Sequence, residues 1–73
     1  MPLDLVAFVH LRQRLGLSQK AAAKRCGVGQ SHLSQIERGE KRPGEATIRK
    51  LAEGLGVPVI AIIELPDDGE RVA

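Results

Sequence analysis

The chain has 73 residues, which is enough for one small domain. Its composition, with 42% hydrophobic and 27% charged residues, is typical of a folded protein and not of a disordered segment. One cysteine, Cys26, excludes an internal disulfide, and His10 and His32 stand alone without metal-ligand spacing, so we expect no metal and no cofactor. A net charge of +2 does not by itself indicate a nucleic-acid partner.

Charge is distributed unevenly along the chain. Residues 1–44 carry eight Lys and Arg side chains against three acids, whereas residues 45–73 carry three against six. The basic part can face a polyanion while the acidic end points away. A solvated surface with uneven charge explains this feature equally well.

The sequence also disfavours a membrane protein and an enzyme. No apolar run approaches the length of a membrane span, and the first residues lack a signal-peptide pattern, so we expect no membrane partner. Cys26 lies in an Ala-rich segment, which predicts a small buried side chain in a reducing, cytoplasmic protein. Because no nucleophile with a neighbouring base, metal set or phosphate loop is visible, we expect that the protein is not an enzyme.

Helical periodicity dominates, and the expected fold class is all-α. The apolar pattern predicts five helices, at about 4–15, 19–26, 29–37, 45–55 and 58–64. Ser18 is a suitable N-cap for the second helix, and Gly27 can end it in a left-handed conformation. The expected inward residues are Leu5, Phe8, Val9, Leu11 and Leu15 on the first helix, Ala22, Ala23 and Cys26 on the second, Leu33 and Ile36 on the third, and Ile48, Leu51, Ala52 and Leu55 on the fourth.

The last apolar segment, residues 59–63, is compatible with a helix or a strand. We favour a helix because Pro58 fits a first helical turn and because a lone strand would have no partner. Residues 1–65 are thus expected to form one compact domain, followed by a short polar tail at 66–73. This leaves no segment for a domain that binds a small-molecule ligand.

Within residues 18–38, two short helices and a Gly-containing turn form a helix-turn-helix unit, which alone is a weak signal because helical bundles often contain such a pair. More specific residues accompany it: Leu17-Ser18-Gln19, Ala23, Gly27-Val28, Leu33-Ser34, Ile36-Glu37, Gly39, Arg42-Pro43, Leu51-Ala52 and Leu55-Gly56-Val57. Over roughly residues 8–65 the chain closely resembles the Cro and phage-repressor family, also called xenobiotic-response-element-type regulators. The resemblance implies a five-helix, lambda-repressor-like domain that places its third helix in the major groove of an operator.

The third helix has a polar outer face. Helical geometry turns Ser31, Ser34 and Gln35 outward and leaves Gln30 exposed at the N-terminus. Amide and hydroxyl side chains hydrogen-bond base edges, so we expect all four to read DNA bases, although a plain solvated helix face is the alternative. The resemblance implies the same role for Gln30, Ser31 and Gln35.

Further roles follow from the resemblance. It implies a phosphate contact for Gln19 at the start of the second helix, and positions near the sugar-phosphate backbone for Arg38 and Arg42. The full set expected at the DNA backbone is Ser18, Gln19, Lys20, Arg38, Lys41 and Arg42. The resemblance also implies a structural ion pair between Arg12 and Glu37, for which the alternative is two ordinary surface charges.

The fifth predicted helix has more apolar residues than one inward face can use. Relatives dimerise on DNA, so we expect a homodimer with Ile60, and Ile63 or Leu65, at the two-fold contact. The alternative is that these residues cap a thin core that lacks aromatic side chains.

The expected function is therefore sequence-specific regulation of transcription, with a repressor favoured. The operator would be pseudo-palindromic double-stranded DNA bound by a homodimer. The alternative is an antitoxin-type or adaptor protein whose main role is to bind a protein partner, such as a toxin or a polymerase.

Overall fold

The computed structural model describes residues 2–65, and the tail expected at 66–73 lies outside the described residues. The elements in chain order are α1 (Leu5–Arg14), α2 (Gln19–Cys26), α3 (Gln30–Glu37), α4 (Glu45–Leu55) and one turn of 3-10 helix (Val59–Ile62). The described part is helical, as the sequence predicts. It contains no helix that is long and apolar enough to cross a membrane.

Local signals set the helix ends. The Ser18 hydroxyl accepts a hydrogen bond from the Ala21 amide at 3.0 Å, as expected for the N-cap of α2. Asp4 caps α1 in the same way, with its carboxylate accepting from the Ala7 amide at 3.1 Å. Gly27 ends α2 with φ at 72°, the left-handed conformation that glycine adopts at little cost. Ser18 and Gly27 thus set both ends of α2.

The core lies where the four helices meet. Its buried apolar residues are Leu3, Phe8, Ala22, Ala23, Cys26, Leu33, Ile36, Ile48, Leu51, Ala52, Leu55 and Ile62. The inward faces expected for α2, α3 and α4 are confirmed. Of the five residues expected inward on the first helix, Phe8 alone is fully buried, and Leu15 is exposed because it follows the last turn of α1.

The packing of α2 against α4 depends on small residues. A methyl group added at Gly54 would lie 2.7 Å from Cα and 2.9 Å from the backbone nitrogen of Cys26. The thiol of Cys26 is buried here, and this burial raises its pKa, so the group stays neutral and serves as packing. The two helix backbones can therefore approach closely only because residue 54 has no side chain.

The expected fifth α-helix is wrong in its type and length. The chain makes a single 3-10 turn at Val59–Ile62, and Ile63 is then extended with φ −116° and ψ 154°. Ile63 forms an antiparallel bridge with Leu3, while the Asp4 amide donates to the Ile62 carbonyl at 2.8 Å. The N-terminal segment is thus the pairing partner that the sequence argument did not find, and β-branched residues are favoured in such extended backbone.

Candidate nucleic-acid interface

One open depression on the surface of α2 and α3 gathers most of the residues predicted to contact DNA. It is lined by Gln19, Gln30, Ser31, Ser34, Gln35 and Arg38. All four predicted base-reading side chains are in this set, beside two predicted phosphate contacts, Gln19 of α2 and Arg38 just after α3. The rim and floor therefore present amides, hydroxyls and one guanidinium to a ligand, a mixture that suits hydrogen bonding to polar edges.

The N-terminus of α2 forms one side of this depression. Its cap Ser18 and the following Lys20 are exposed, and the first turn of any helix leaves backbone N–H groups that can meet an anion. The side chain of Gln19 is held in place, because its Nε2 donates to Oε1 of Glu37 at 3.1 Å. An amide nitrogen carries two hydrogens, so the second N–H of Gln19 stays available for a phosphate.

Arg12 and Glu37 link α1 to α3. Nε and Nη2 of Arg12 donate to the two carboxylate oxygens of Glu37 at 2.9 and 3.0 Å, and Nη1 donates to the Leu17 carbonyl at 3.0 Å. The two side chains are only 13% and 8% exposed. Because Glu37 also accepts from Gln19, the ion pair reaches the edge of the depression and orients a side chain there.

Arg38 follows the last residue of α3 and is engaged on the protein surface. Its Nε and Nη2 donate to the carboxylate of Glu40 at 2.9 and 3.1 Å, and its Nη1 donates to the Ser34 hydroxyl at 2.7 Å. Glu40 has no role among the residues predicted from the sequence. The available signal was a carboxylate two residues from a predicted DNA-contacting arginine, separated from it by a glycine.

Lys41 and Arg42 do not join the depression. They are exposed and line a separate groove of about 600 Å³ in the α3–α4 connection, together with Pro2, Leu3, Leu5, Ile36, Gly39, Pro43 and Glu64. The predicted backbone-contacting residues therefore fall into two groups, one around the depression and one beyond the end of α3.

The three residues predicted at a dimer contact differ in how exposed they are. Ile60 and Leu65 are 60% and 53% exposed. Ile63 is partly buried, packs against the core and makes the bridge to Leu3. Ile60 and Leu65 are thus exposed apolar side chains, whereas Ile63 contributes mainly to the domain itself.

Within residues 2–65, no group of three or more His, Cys, Asp or Glu side chains is placed to hold a metal ion. The surface described above consists of neutral amides and hydroxyls with scattered cations. Its chemistry is that of recognition by hydrogen bonds and charge.

Comparison with known proteins gives the family. The HTH_3 helix-turn-helix family matches residues 10–62. The chain is similar to the uncharacterised HTH-type transcriptional regulator y4dJ of Sinorhizobium fredii, with 36% identity over 61 residues that cover 84% of this chain and 79% of the relative. The fold and these matches define the class of protein as a helix-turn-helix transcriptional regulator.

Two solved structures agree with this class. An HTH_3 family transcriptional regulator from Vibrio cholerae is 41% identical, with a TM-score of 0.76. The match covers 80% of this chain but only 33% of that regulator. The restriction-modification controller protein C.AhdI from Aeromonas hydrophila is 34% identical with a TM-score of 0.72, covering 80% of this chain and 94% of its own. The chain belongs to the HTH_3 helix-turn-helix family, and the resemblance to Cro and phage-type regulators is confirmed.

Proposed function

We propose that this regulator is a repressor that binds a pseudo-palindromic operator as a homodimer, with α3 in the major groove. The observation that carries the proposal is the depression in which Gln30, Ser31, Ser34 and Gln35 lie beside Gln19 and Arg38. A regulator of transcription meets its operator in the compartment that holds the DNA, so we also propose a cytoplasmic location.

The base-reading role rests on the chemistry of α3. Glutamine can donate and accept at once, which matches the adenine edge in the major groove, and a serine hydroxyl can meet either kind of edge. Leu33 and Ile36 are fully buried on the opposite side of the helix, so α3 cannot rotate its polar face away. The helix is therefore held rigidly enough to present these side chains in one register.

The phosphate-binding role rests on position and charge. Gln19 lies at the start of α2, and Lys41 and Arg42 extend beyond the end of α3. Contacts of this kind fix the register of the protein on the duplex without reading its sequence. We assign the same role to Ser18, Lys20 and Arg38.

Alanine substitutions distinguish a residue that reads bases from one that binds phosphates. We expect Gln35→Ala to weaken binding to the preferred operator by roughly five- to 150-fold, which corresponds to about 1–3 kcal/mol, and to relax base preference at one position. Arg42→Ala should instead weaken operator and random-sequence duplexes alike and make the dependence of log affinity on log salt shallower by about 0.9. The measurement is a fluorescence anisotropy titration at several salt concentrations on an operator selected from random-sequence DNA.

Lys50→Ala is the matched control, because it removes an equally exposed cation from α4, outside the proposed interface. It should change neither the base preference nor, beyond a small screened effect, the salt dependence. Equal losses on operator and random DNA for Gln35→Ala would show that this residue does not read bases.

A dimer is proposed because one α3 reaches only a few base pairs. Two copies related by a two-fold axis place two such helices about one helical turn of DNA apart, roughly 34–36 Å. Ile60 and Leu65 are exposed apolar side chains that lie close together in the chain. A second copy of the protein can cover both of them. Ile63 supports this surface from the core side.

Ile60→Asp tests the dimer contact. Since Ile60 is exposed, the aspartate should leave the fold intact but yield a monomer with reduced affinity for a palindromic site and unchanged affinity for a single half-site. Sedimentation measures the mass, and circular dichroism measures the helicity. Val6→Asp, at an exposed apolar position on α1, is the control and should remain dimeric. A folded Ile60→Asp variant that still dimerises would remove Ile60 from the interface.

A further inference from the structure

The ion pair between Arg38 and Glu40 lies at the end of the proposed recognition helix. Glu40 binds the Nε–Nη2 edge of the guanidinium with both carboxylate oxygens, and Ser34 accepts from Nη1. A guanidinium has five N–H donors, of which these contacts use three. Carboxylate and phosphate fit the same planar edge, so the side of Arg38 best suited to a DNA phosphate is already occupied within the protein.

The backbone around Glu40 holds this arrangement in place. Gly39 has φ at 77°, which turns the chain back over the end of α3. The amides of Glu40 and Lys41 then donate to the Gln35 carbonyl at 2.9 and 3.3 Å. Because the turn anchors its backbone to the helix, Glu40 loses less freedom on pairing than a residue on a mobile segment would.

Both side chains face solvent, since Arg38 is 56% and Glu40 is 53% exposed. The hydrogen bonds from Arg38 hold the pKa of the Glu40 carboxyl below its usual value, so this group is ionised at neutral pH. Exposed ion pairs are weak and exchange partners readily, which means that a DNA phosphate can displace the carboxylate. If a phosphate displaces the Glu40 carboxylate, a negative charge is left beside the DNA. If the ion pair is kept, Arg38 is not available to a phosphate.

We propose that Glu40 is a positioning residue that occupies Arg38 as an internal substitute for a DNA phosphate and thereby limits sequence-independent binding. Whether Glu40 keeps its pair with Arg38 on DNA or is displaced by a phosphate, its negative charge offsets about one positive charge of the protein that would otherwise act on the duplex. Recognition then depends more on the side chains of the depression. The inference rests on the proposed function, because it requires Arg38 to lie near the DNA backbone.

The opposite role would be that Glu40 holds Arg38 in the orientation needed for binding DNA. A carboxylate with that role is expected behind the arginine, shielded from the ligand. Glu40 is instead about as exposed as Arg38, so it is not shielded from a ligand. The two roles predict opposite signs for the same substitution, which makes them separable.

The test compares Glu40→Gln with Glu45→Gln in the full chain, using a random-sequence duplex as the probe. Glu45 is a matched control, because it is also exposed and pairs with an arginine, Arg49, at 2.8 Å, but lies on α4. We expect Glu40→Gln to raise affinity roughly five- to tenfold near 0.1 M salt and to steepen the salt dependence by about 0.9. Glu45→Gln should produce only a small change. A third comparison, Glu40→Gln in an Arg38→Ala background, should show a clearly smaller gain than in the wild-type background, because only the direct repulsion between Glu40 and the DNA is then relieved.

Each outcome has a definite meaning once circular dichroism shows that the variants are folded. If Glu40→Gln matches Glu45→Gln, or if its gain is undiminished without Arg38, Glu40 does not act through Arg38 and the inference is overturned. If Glu40→Gln weakens binding, the residue orients Arg38 for DNA instead. If the wild-type protein binds no duplex at any salt concentration, the proposed function fails together with the inference.

Discussion

Replacing Gly54 by alanine is expected to destabilise the protein by about 2 kcal/mol or more, net of its gain in helix propensity. On helix propensity alone this change should stabilise α4 by about 1 kcal/mol, since glycine is unfavourable within a helix. The new methyl group, however, would lie 2.7 Å from Cα and 2.9 Å from the nitrogen of Cys26, and a backbone cannot yield as a side chain can. For a domain of this size, a loss of about 2 kcal/mol lowers the melting temperature by roughly 8–16 °C.

Thermal and denaturant unfolding measure this effect. Glu53→Ala, at the exposed neighbouring position of α4, is the control and should change stability little. Adding Cys26→Ala to Gly54→Ala removes the sulfur but not the backbone atoms, so it should not rescue the fold. A more stable Gly54→Ala variant would show that α2 and α4 can separate at small cost.

Glu37→Ala is expected to cost about 3–5 kcal/mol in the free energy of unfolding. It leaves the guanidinium of Arg12, which is only 13% exposed, without its carboxylate, and removes the acceptor of the Gln19 amide. Because the loss arises from an unpaired, largely buried charge, it should exceed the effect of removing either partner of the exposed pair formed by Arg49 and Glu45.

The paired replacement Arg12→Met with Glu37→Leu is the informative control. Apolar side chains of similar size leave no unpaired charge, so this variant should recover most of the stability lost in Glu37→Ala. Chemical denaturation of the three proteins compares them directly. Near-wild-type stability of Glu37→Ala would mean that the two residues behave as ordinary surface charges. Weaker DNA binding by a stable paired variant would point to the orientation of Gln19.

Four of the five predicted helices, and the inward faces of three of them, could be predicted from local sequence patterns. Ser18 and Gly27 act within a few residues, through one hydrogen bond and one backbone conformation, so their effects can be read locally. The spacing of Ile48, Leu51 and Leu55 defines one face of α4 whatever lies opposite. The family resemblance was equally visible, since its residues are distributed over most of the chain. The base-reading roles on α3 stay a prediction.

Features that depend on a neighbour distant in the chain became visible in the folded structure alone. Glycine within α4 signals a close approach, but nothing local identifies Cys26 as the residue it meets. The extended backbone at Ile63 depends on Leu3, from the opposite end of the described chain. Glu40 reaches Arg38 because Gly39 adopts a positive φ and the Gln35 carbonyl holds the turn, a combination that composition and periodicity do not encode. In each case the energy comes from a contact between segments, which a one-dimensional pattern does not specify.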